Sequence, residues 1–310
     1  MDLAPIVLFV YNRPLHTRQT IEALQQNELA KDSELYIYCD GIKTIEDEGD
    51  DFRELQSSIN AELQSSVNAV REYVHLLKTF KKVTIIERDR NWGLAASIID
   101  GVSSVVKKHG KIIVLEDDIV TSPYFLKYMN EALDFYEEED KTWHISGWNY
   151  PVKVDSNDES HAFLWQVMNC WGWATWQDKW KYYEKNAKKL IGEFSKQEIE
   201  KFNLDGIEDF WGQVLSNDKG ETNTWAIFWY ATIFKNGGLC LNPVQTFVDN
   251  IGIDGSGINC HHRKSYVDNL NCSETICFPA DVIDSTKYRE KIKKLLTTGA
   301  FHKLKRFLTW

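Results

Sequence analysis

The chain has 310 residues, 43% of them hydrophobic and 26% charged, with a formal net charge of −10 and a pI near 5.4. That length buries a sizeable core in one large domain or two small ones. The acidic balance excludes a general nucleic-acid binder, which presents a basic face. The six cysteines form no CxxC pair and read as free thiols in a reducing compartment. Cys260 with His261 and His262 matches no common zinc spacing. The apolar start through Val10 lacks a basic leader and a cleavage site. No run reaches the ~18 apolar residues of a membrane span, so the expected location is cytoplasmic.

Ile6–Val10, Leu35–Cys39, Val83–Ile86 and Ile112–Leu115 are continuous apolar runs, as parallel strands covered on both faces require. Helical stretches separate them: Pro14 to about Leu24, a long one through Val74, and Leu94 to Lys107. Pro14 suits a first helical turn, and Ser122-Pro123 reads as the start of another helix with Ser122 as its cap. Alternating strands and helices predict an open α/β sheet, Rossmann-like and mostly parallel, flanked by helices. Glu54–Ala61 and Glu62–Ala69 are near-identical octapeptides. Eight residues are close to two helical turns, so the duplication reads as a lengthened surface helix.

The texture changes after Tyr136. The acidic run Glu137–Asp140 ends a helix, and most of the 12 tryptophans fall between Trp143 and Trp229. They form either a heavy aromatic core or the lining for a flat ligand. Asp155–Ser160 is a polar loop. A helix from near Trp225 closes at Gly237-Gly238, and Leu239–Leu241 reads as a short strand. From Lys287 to Trp310 basic residues alternate with Ile292, Leu295, Leu296, Phe301, Leu304, Phe307 and Leu308. Such a helix suits an anionic membrane surface, the body of the domain, or a second subunit.

Glu116-Asp117-Asp118 directly follows the strand Ile112–Leu115, and ligands of open α/β sheets gather at the carboxyl ends of strands. Three adjacent acids repel one another unless a cation or donor groups compensate. A divalent ion bridging two phosphates would do so, and hard oxygen ligands suit Mg²⁺ or Mn²⁺. Two neighbouring strand ends carry Tyr11-Asn12-Arg13-Pro14 and Asp40-Gly41. An arginine there suits a phosphate or a base face, and an aspartate can accept from a ribose or a base edge. Together these ends predict a nucleotide pocket.

Glu116-Asp117-Asp118 followed by Ser122–Phe125 resembles the variant DxD motif of GT-A glycosyltransferases related to the N-acetylglucosaminyltransferase I group. The resemblance continues through Trp143–Asn149, Trp171–Trp176 and Asn250–Gly257, and the string WGWATW is similar to that of bacterial surface-polysaccharide sugar transferases. It implies the GT-A, or nucleotide-diphospho-sugar transferase, fold, with an aromatic-rich acceptor half. The implied activity is metal-dependent transfer of a sugar from a nucleotide diphosphate, UDP in the resembling enzymes, to an acceptor hydroxyl with inversion. A hexose or N-acetylhexosamine would pass to a glycan or lipid-linked acceptor in the synthesis of lipopolysaccharide, O-antigen or capsule.

On this resemblance Asp118 is the metal ligand, Glu116 and Asp117 face the ribose, and Tyr11, Arg13 and Asp40 line the nucleotide pocket. Asn91 and Gly93 precede a nucleotide-contacting helix. The base falls in Glu208-Asp209-Phe210-Trp211, with Asp209 favoured over Glu208; the match is loose, since the family has paired aspartates. Trp148, Trp171 and Trp173 are sugar or acceptor contacts on one reading and packed core on the other. Gly252, Asp254, Gly255 and Gly257 suit either a closing loop or plain surface. The implied organisation is one catalytic domain over 1–285, with a nucleotide-binding half (1–140) and an acceptor half (141–285). A basic amphipathic helical tail (286–310) follows, a candidate for peripheral membrane contact. Two alternatives stand beside the transferase. A sugar nucleotidyltransferase would carry a glycine-rich loop after the first strand, which this chain lacks. A non-catalytic carbohydrate-binding module would bind glycans through the tryptophans.

Overall fold

The computed structural model describes residues 2–43, 53–153, 160–254 and 270–298. Gly255, Gly257, Cys260, His261, His262 and the tail beyond Thr298 lie outside the described residues, as does most of the polar loop after Val154. The four apolar runs of the first half form strands alternating with helices: β1 (Ile6–Val10), α1 (Pro14–Gln25), β2 (Glu34–Cys39), α2 (Arg53–His75), β3 (Lys82–Glu87), α3 (Leu94–His109) and β4 (Lys111–Glu116). Every residue of β1 and the stretch Ile112–Leu115 of β4 are buried, because helices cover both faces. On α3 the buried Ala95, Ile98, Val102, Val105 and Val106 recur at the spacing of one helical face.

Next come β5 (Ile119–Thr121), α4 (Phe125–Phe135), β6 (Thr142–Ser146), β7 (Ala162–Trp165), β8 (Trp173–Trp176) and α5 (Gln177–Trp180). Then follow α6 (Ala187–Glu193), α7 (Lys196–Phe202), α8 (Phe210–Asp218), α9 (Ala226–Lys235), β9 (Leu239–Pro243), β10 (Val248–Asn250) and α10 (Thr286–Thr297). Eight strands share one sheet in the order β3-β2-β1-β4-β8-β6-β9-β7, while β5 and β10 pair separately. The neighbours β3, β2, β1 and β4 are parallel. β8 is antiparallel to β4 and β6, β9 is parallel to β6, and β7 is antiparallel to β9. All but β7 and β8 therefore run in one direction, so the expected mostly parallel α/β sheet is what forms. From β1 the chain steps to β2 and β3 on one side, then returns to place β4 on the other. The sheet's topological switch point thus lies between β1 and β4, where such folds open a crevice.

Both halves of the sequence contribute to this sheet. The aromatic strings that show no alternation are its strands: β6 carries Trp143, β7 ends in Trp165, and WATW is β8. Trp173 is fully buried, stacked on Trp225 with ring centroids 5.1 Å apart and tilted against Trp180 at 5.7 Å. The aromatic section is therefore core in its main part.

Ser122 does not cap α4. The helix begins at Phe125, and Asn27 Oδ1 accepts the Leu126 N–H at 2.9 Å while Asn27 Nδ2 donates to Thr121 Oγ1 at 2.9 Å. A side chain distant in sequence thus meets the orphan donor of the first turn. In α2 the two octapeptides differ in placement: Val67 of the second copy is 1% exposed and its counterpart Ile59 is 40% exposed. At this position the second copy packs and the first stands open, as a lengthened surface helix would.

The tail is docked over its described part. In α10 Tyr288, Ile292 and Leu296 are buried, and Tyr288 stacks on Phe163 of β7 at 4.1 Å. Arg289 pairs with Asp284, Lys293 reaches Asp205 at 2.8 Å, and Lys291 donates to the Lys153 carbonyl at 2.8 Å. Those basic groups serve the body of the domain. Among the described residues no helix is long and apolar enough to cross a membrane.

Candidate functional site at the sheet's switch point

β1 and β4 end side by side, with Phe9 paired to Glu116. Arg13 then falls at the N-cap of α1, and Glu116, Asp117 and Asp118 leave the end of β4. Arg13 Nη2 donates to Asp118 Oδ2 at 2.8 Å and also to Asp117 Oδ1, and Nε reaches Asp117 Oδ2 at 3.4 Å. Thr20 of α1 fixes the same turn by donating to the Asp117 carbonyl at 2.9 Å. Asp117 and Asp118 are 5% and 7% exposed.

One guanidinium faces three carboxylates. Burial pushes Glu116 above the ordinary carboxylate range, and Asp118 and Asp117 push it further. Burial also raises Asp117, against the pull of Arg13. For Arg13 burial acts to lower the pKa, and Asp117 and Asp118 outweigh it, so the guanidinium is held protonated more firmly than usual. The group thus carries an excess of negative charge that a further cation would relieve.

β10 closes over this end. It pairs antiparallel with β5, Asn250 opposite Ile119, and the Ile251 N–H donates to the Asp118 carbonyl at 2.9 Å. Gly252 follows, and a Cβ there would stand 2.2 Å from Asp118 Oδ2 and 2.9 Å from Arg13 Nη1. Any larger residue there would have to push the Asp118 carboxylate and the Arg13 guanidinium aside. The string Asn250–Gly257 marks this loop in the sequence, but its contact with Asp118 is a product of the fold.

The remaining sequence-predicted residues take varied places. Asp40 reaches the strand end as expected, but its Oδ1 accepts from the Gly41 and Trp92 N–H groups at 2.9 and 2.8 Å, and its Oδ2 from Gly93 at 3.0 Å. It acts first as a clasp for the loop ahead of α3, and most of its acceptor capacity is spent there. Asn91 closes the same clasp by donating to the Gly41 carbonyl at 2.9 Å. Gly93, with φ +76, turns the chain into α3. Trp92, between Asn91 and Gly93 in the same segment, is 37% exposed and lies against the Arg88 guanidinium at 3.8 Å. The Tyr11 hydroxyl accepts the Lys43 N–H at 3.1 Å, and burial raises its pKa.

On the other side of β4, Val114 pairs with Trp173 and Trp173 with Ser146. Trp171-Gly172 and Gly147-Trp148 therefore lie at the same sheet edge as the acids, joined by the Gly147 N–H donating to the Gly172 carbonyl at 2.6 Å. Trp148 and Trp173 are 1% and 0% exposed, so neither offers a face to a sugar, and both are core. Trp171 is partly open, with its ring edge-on to Trp148 at 4.9 Å. Asp209 is exposed and caps α8, accepting the Gly212 N–H at 3.0 Å. Glu208 lies close enough to Tyr150 to help burial raise that phenol's pKa. The described contacts do not join Asp209 to the Arg13 group.

The residues fit a divalent ion shared with a ligand. Asp117 and Asp118 are hard, nearly buried oxygen donors under the Gly252 cradle, short of positive charge. Mg²⁺ and Mn²⁺ at nucleotide sites take one or two carboxylates and complete their shell from phosphates and water. Among the described residues no group of three or more His, Cys, Asp or Glu side chains could hold an ion, so phosphate would have to supply the rest.

No family model matches the sequence, and no curated protein matches it. Among solved structures it is similar to S. aureus TarS. The crystal structure of TarS 1-349 aligns at 8% identity and TM-score 0.39, covering 79% of this chain and 59% of that one. A longer TarS structure gives 8% and 0.39, covering 79% and 36%. TarS 1-349 in complex with UDP-GlcNAc gives 9% and 0.39, covering 79% and 57%. The chain thus spans less than two thirds of each TarS chain it matches.

Proposed function

We propose that this chain is a glycosyltransferase of the GT-A type, moving a sugar from a nucleotide diphosphate to an acceptor hydroxyl with Mn²⁺ or Mg²⁺ bound. The observation that carries this reading is the pairing of Arg13 with Asp117 and Asp118 at the switch point between β1 and β4. Ligands of such sheets gather at this point, and a guanidinium beside paired carboxylates suits a pyrophosphate with its cation. The sequence resemblance favours UDP as the nucleotide and inversion as the outcome.

Tyr11 and the Asp40–Gly93 clasp form the nucleotide side, and Arg13 brings a fixed positive charge to the diphosphate. Asp118 holds the cation, which when bound would neutralise charge on the departing diphosphate. Asp117, expected at the ribose beside Glu116, is added as a second ligand because Arg13 binds its carboxylate together with that of Asp118. Trp171 is the one of the three predicted tryptophans that remains for sugar or acceptor contact. Asp209 takes the acceptor proton as general base, with Glu208 the second candidate. The acceptor is a bacterial surface glycan or its lipid-linked precursor. A carbohydrate-binding module needs open aromatic faces, and the burial of Trp148 and Trp173 counts against it.

The test is a thermal-shift panel of UDP, GDP and CMP, each with and without Mn²⁺. A nucleotide diphosphate should raise the melting temperature, more so with Mn²⁺, by about 2.7 kcal/mol of linkage at a hundred times its Kd. No shift with any nucleotide would overturn the proposal.

A further inference from the structure

Arg13 fills the ground a divalent ion would need. Its Nη2 spans both acids, and the Asp118 oxygen it takes, Oδ2, is also the one facing Gly252. Among the described residues Asp117 and Asp118 form no other ion pair; His16 also draws on Asp117 electrostatically, but the guanidinium is the main counter-charge. The pair is largely buried, where leaving either charge without its partner is costly. A cation arriving alone must displace the guanidinium and leave it without a counter-charge.

Arg13 is nevertheless built to move. Its backbone is anchored at the start of α1, where its carbonyl accepts the Thr17 N–H at 2.9 Å. The guanidinium rides on a long flexible stem, its side chain keeps 19% exposure, and Nη1 has no described hydrogen bond. A diphosphate entering at the switch point offers it an equivalent bidentate anion.

We propose that Arg13 makes cation binding conditional on the nucleotide: the diphosphate draws the guanidinium off Asp118, and the freed carboxylates then take the ion. This rests on the nucleotide-sugar reading above and adds an order to it. The order has a use, since a cation held without donor would be idle. Arg13 is here a positioning residue that governs access to Asp118.

The experiment is titration of Mn²⁺, followed by its electron paramagnetic resonance signal, into the wild type and Arg13→Met, each with and without UDP. The wild type should bind Mn²⁺ weakly alone and roughly tenfold or more tightly with UDP, within the 5–150-fold range of coupled sites. Arg13→Met should bind Mn²⁺ alone roughly tenfold more tightly than the wild type, and UDP should add less than it adds to the wild type. Should Arg13→Met fail to fold, Arg13→Lys serves, because one ammonium spans two carboxylates poorly; its change should be smaller and in the same direction. Equal Mn²⁺ affinity of the variant and the wild type without UDP overturns the ordering. A wild type that binds no UDP under any condition sinks the nucleotide-sugar reading instead.

Discussion

Trp229 donates its indole N–H to His144 Nδ1 at 3.1 Å, and His144 Nε2 faces the Asn169 carbonyl at 3.0 Å. The imidazole is therefore neutral, with its proton on Nε2, in the middle of the aromatic core. Burial pushes its pKa down to about 3, against an ordinary 6.5. The sign follows directly: between those values the unfolded chain carries a proton that the folded one excludes. Stability is then lost as pH falls from 6.5 towards 3, by up to about 1.36 kcal/mol per unit from this group. Urea unfolding at pH 7.5 and 5.0 should show the loss in the wild type, and a smaller loss in His144→Asn. An equal loss in both removes His144 as its source.

Trp173 and Trp171 lie two residues apart and should respond in opposite ways. Trp173→Ala removes a fully buried indole from the Trp225–Trp180 stack and should cost about 3–5 kcal/mol in urea unfolding. Trp171→Ala should cost clearly less stability and act mainly on the Michaelis constant for the acceptor. A destabilisation equal to that of Trp173→Ala would place Trp171 in the core as well.

Asn27→Ala should cost about 1–3 kcal/mol, because it strips the Leu126 N–H of its acceptor and Thr121 of its donor. Hydrogen exchange of the first turn of α4 reads this locally. Unchanged protection there would mean that the cap is supplied by another group.

Asp209 has two assignments, helix cap and base, that one pair of substitutions separates. Asparagine caps nearly as well as aspartate, so Asp209→Asn should keep the melting temperature while transfer slows by about 10²–10⁴. Asp209→Ala should lose both the rate and about 1 kcal/mol of stability. Near-normal turnover of the asparagine variant leaves Asp209 as a cap alone and moves the base to Glu208.

The first half of the sheet was readable because its strands are long apolar runs, and α1 and α3 carry the helical spacing between them. β6, β7 and β8 were not. Their four or five residues are buried on both faces and rich in tryptophan, so no alternation marks them. The acids after β4 were legible from their place at a strand end. Their partner was not, because the Arg13–Asp117 bond links residues 104 apart and is fixed by β1 lying beside β4. Ser122 misled for a similar reason: local sequence offered a cap, and a tertiary contact from Asn27 supplied it. The tryptophans of the WGWATW string gave no sign of depth. Trp173 enters β8 and is covered, whereas Trp171 stays on the rim before it.

Calorimetric titration of UDP into the wild type and Asp118→Asn, with Mn²⁺ or with EDTA, tests the central claim most directly. A carboxylate-held cation beside a bound diphosphate predicts tight binding only in the wild type with Mn²⁺, weakened at least roughly tenfold by EDTA or by the substitution. UDP affinity indifferent to both would contradict it.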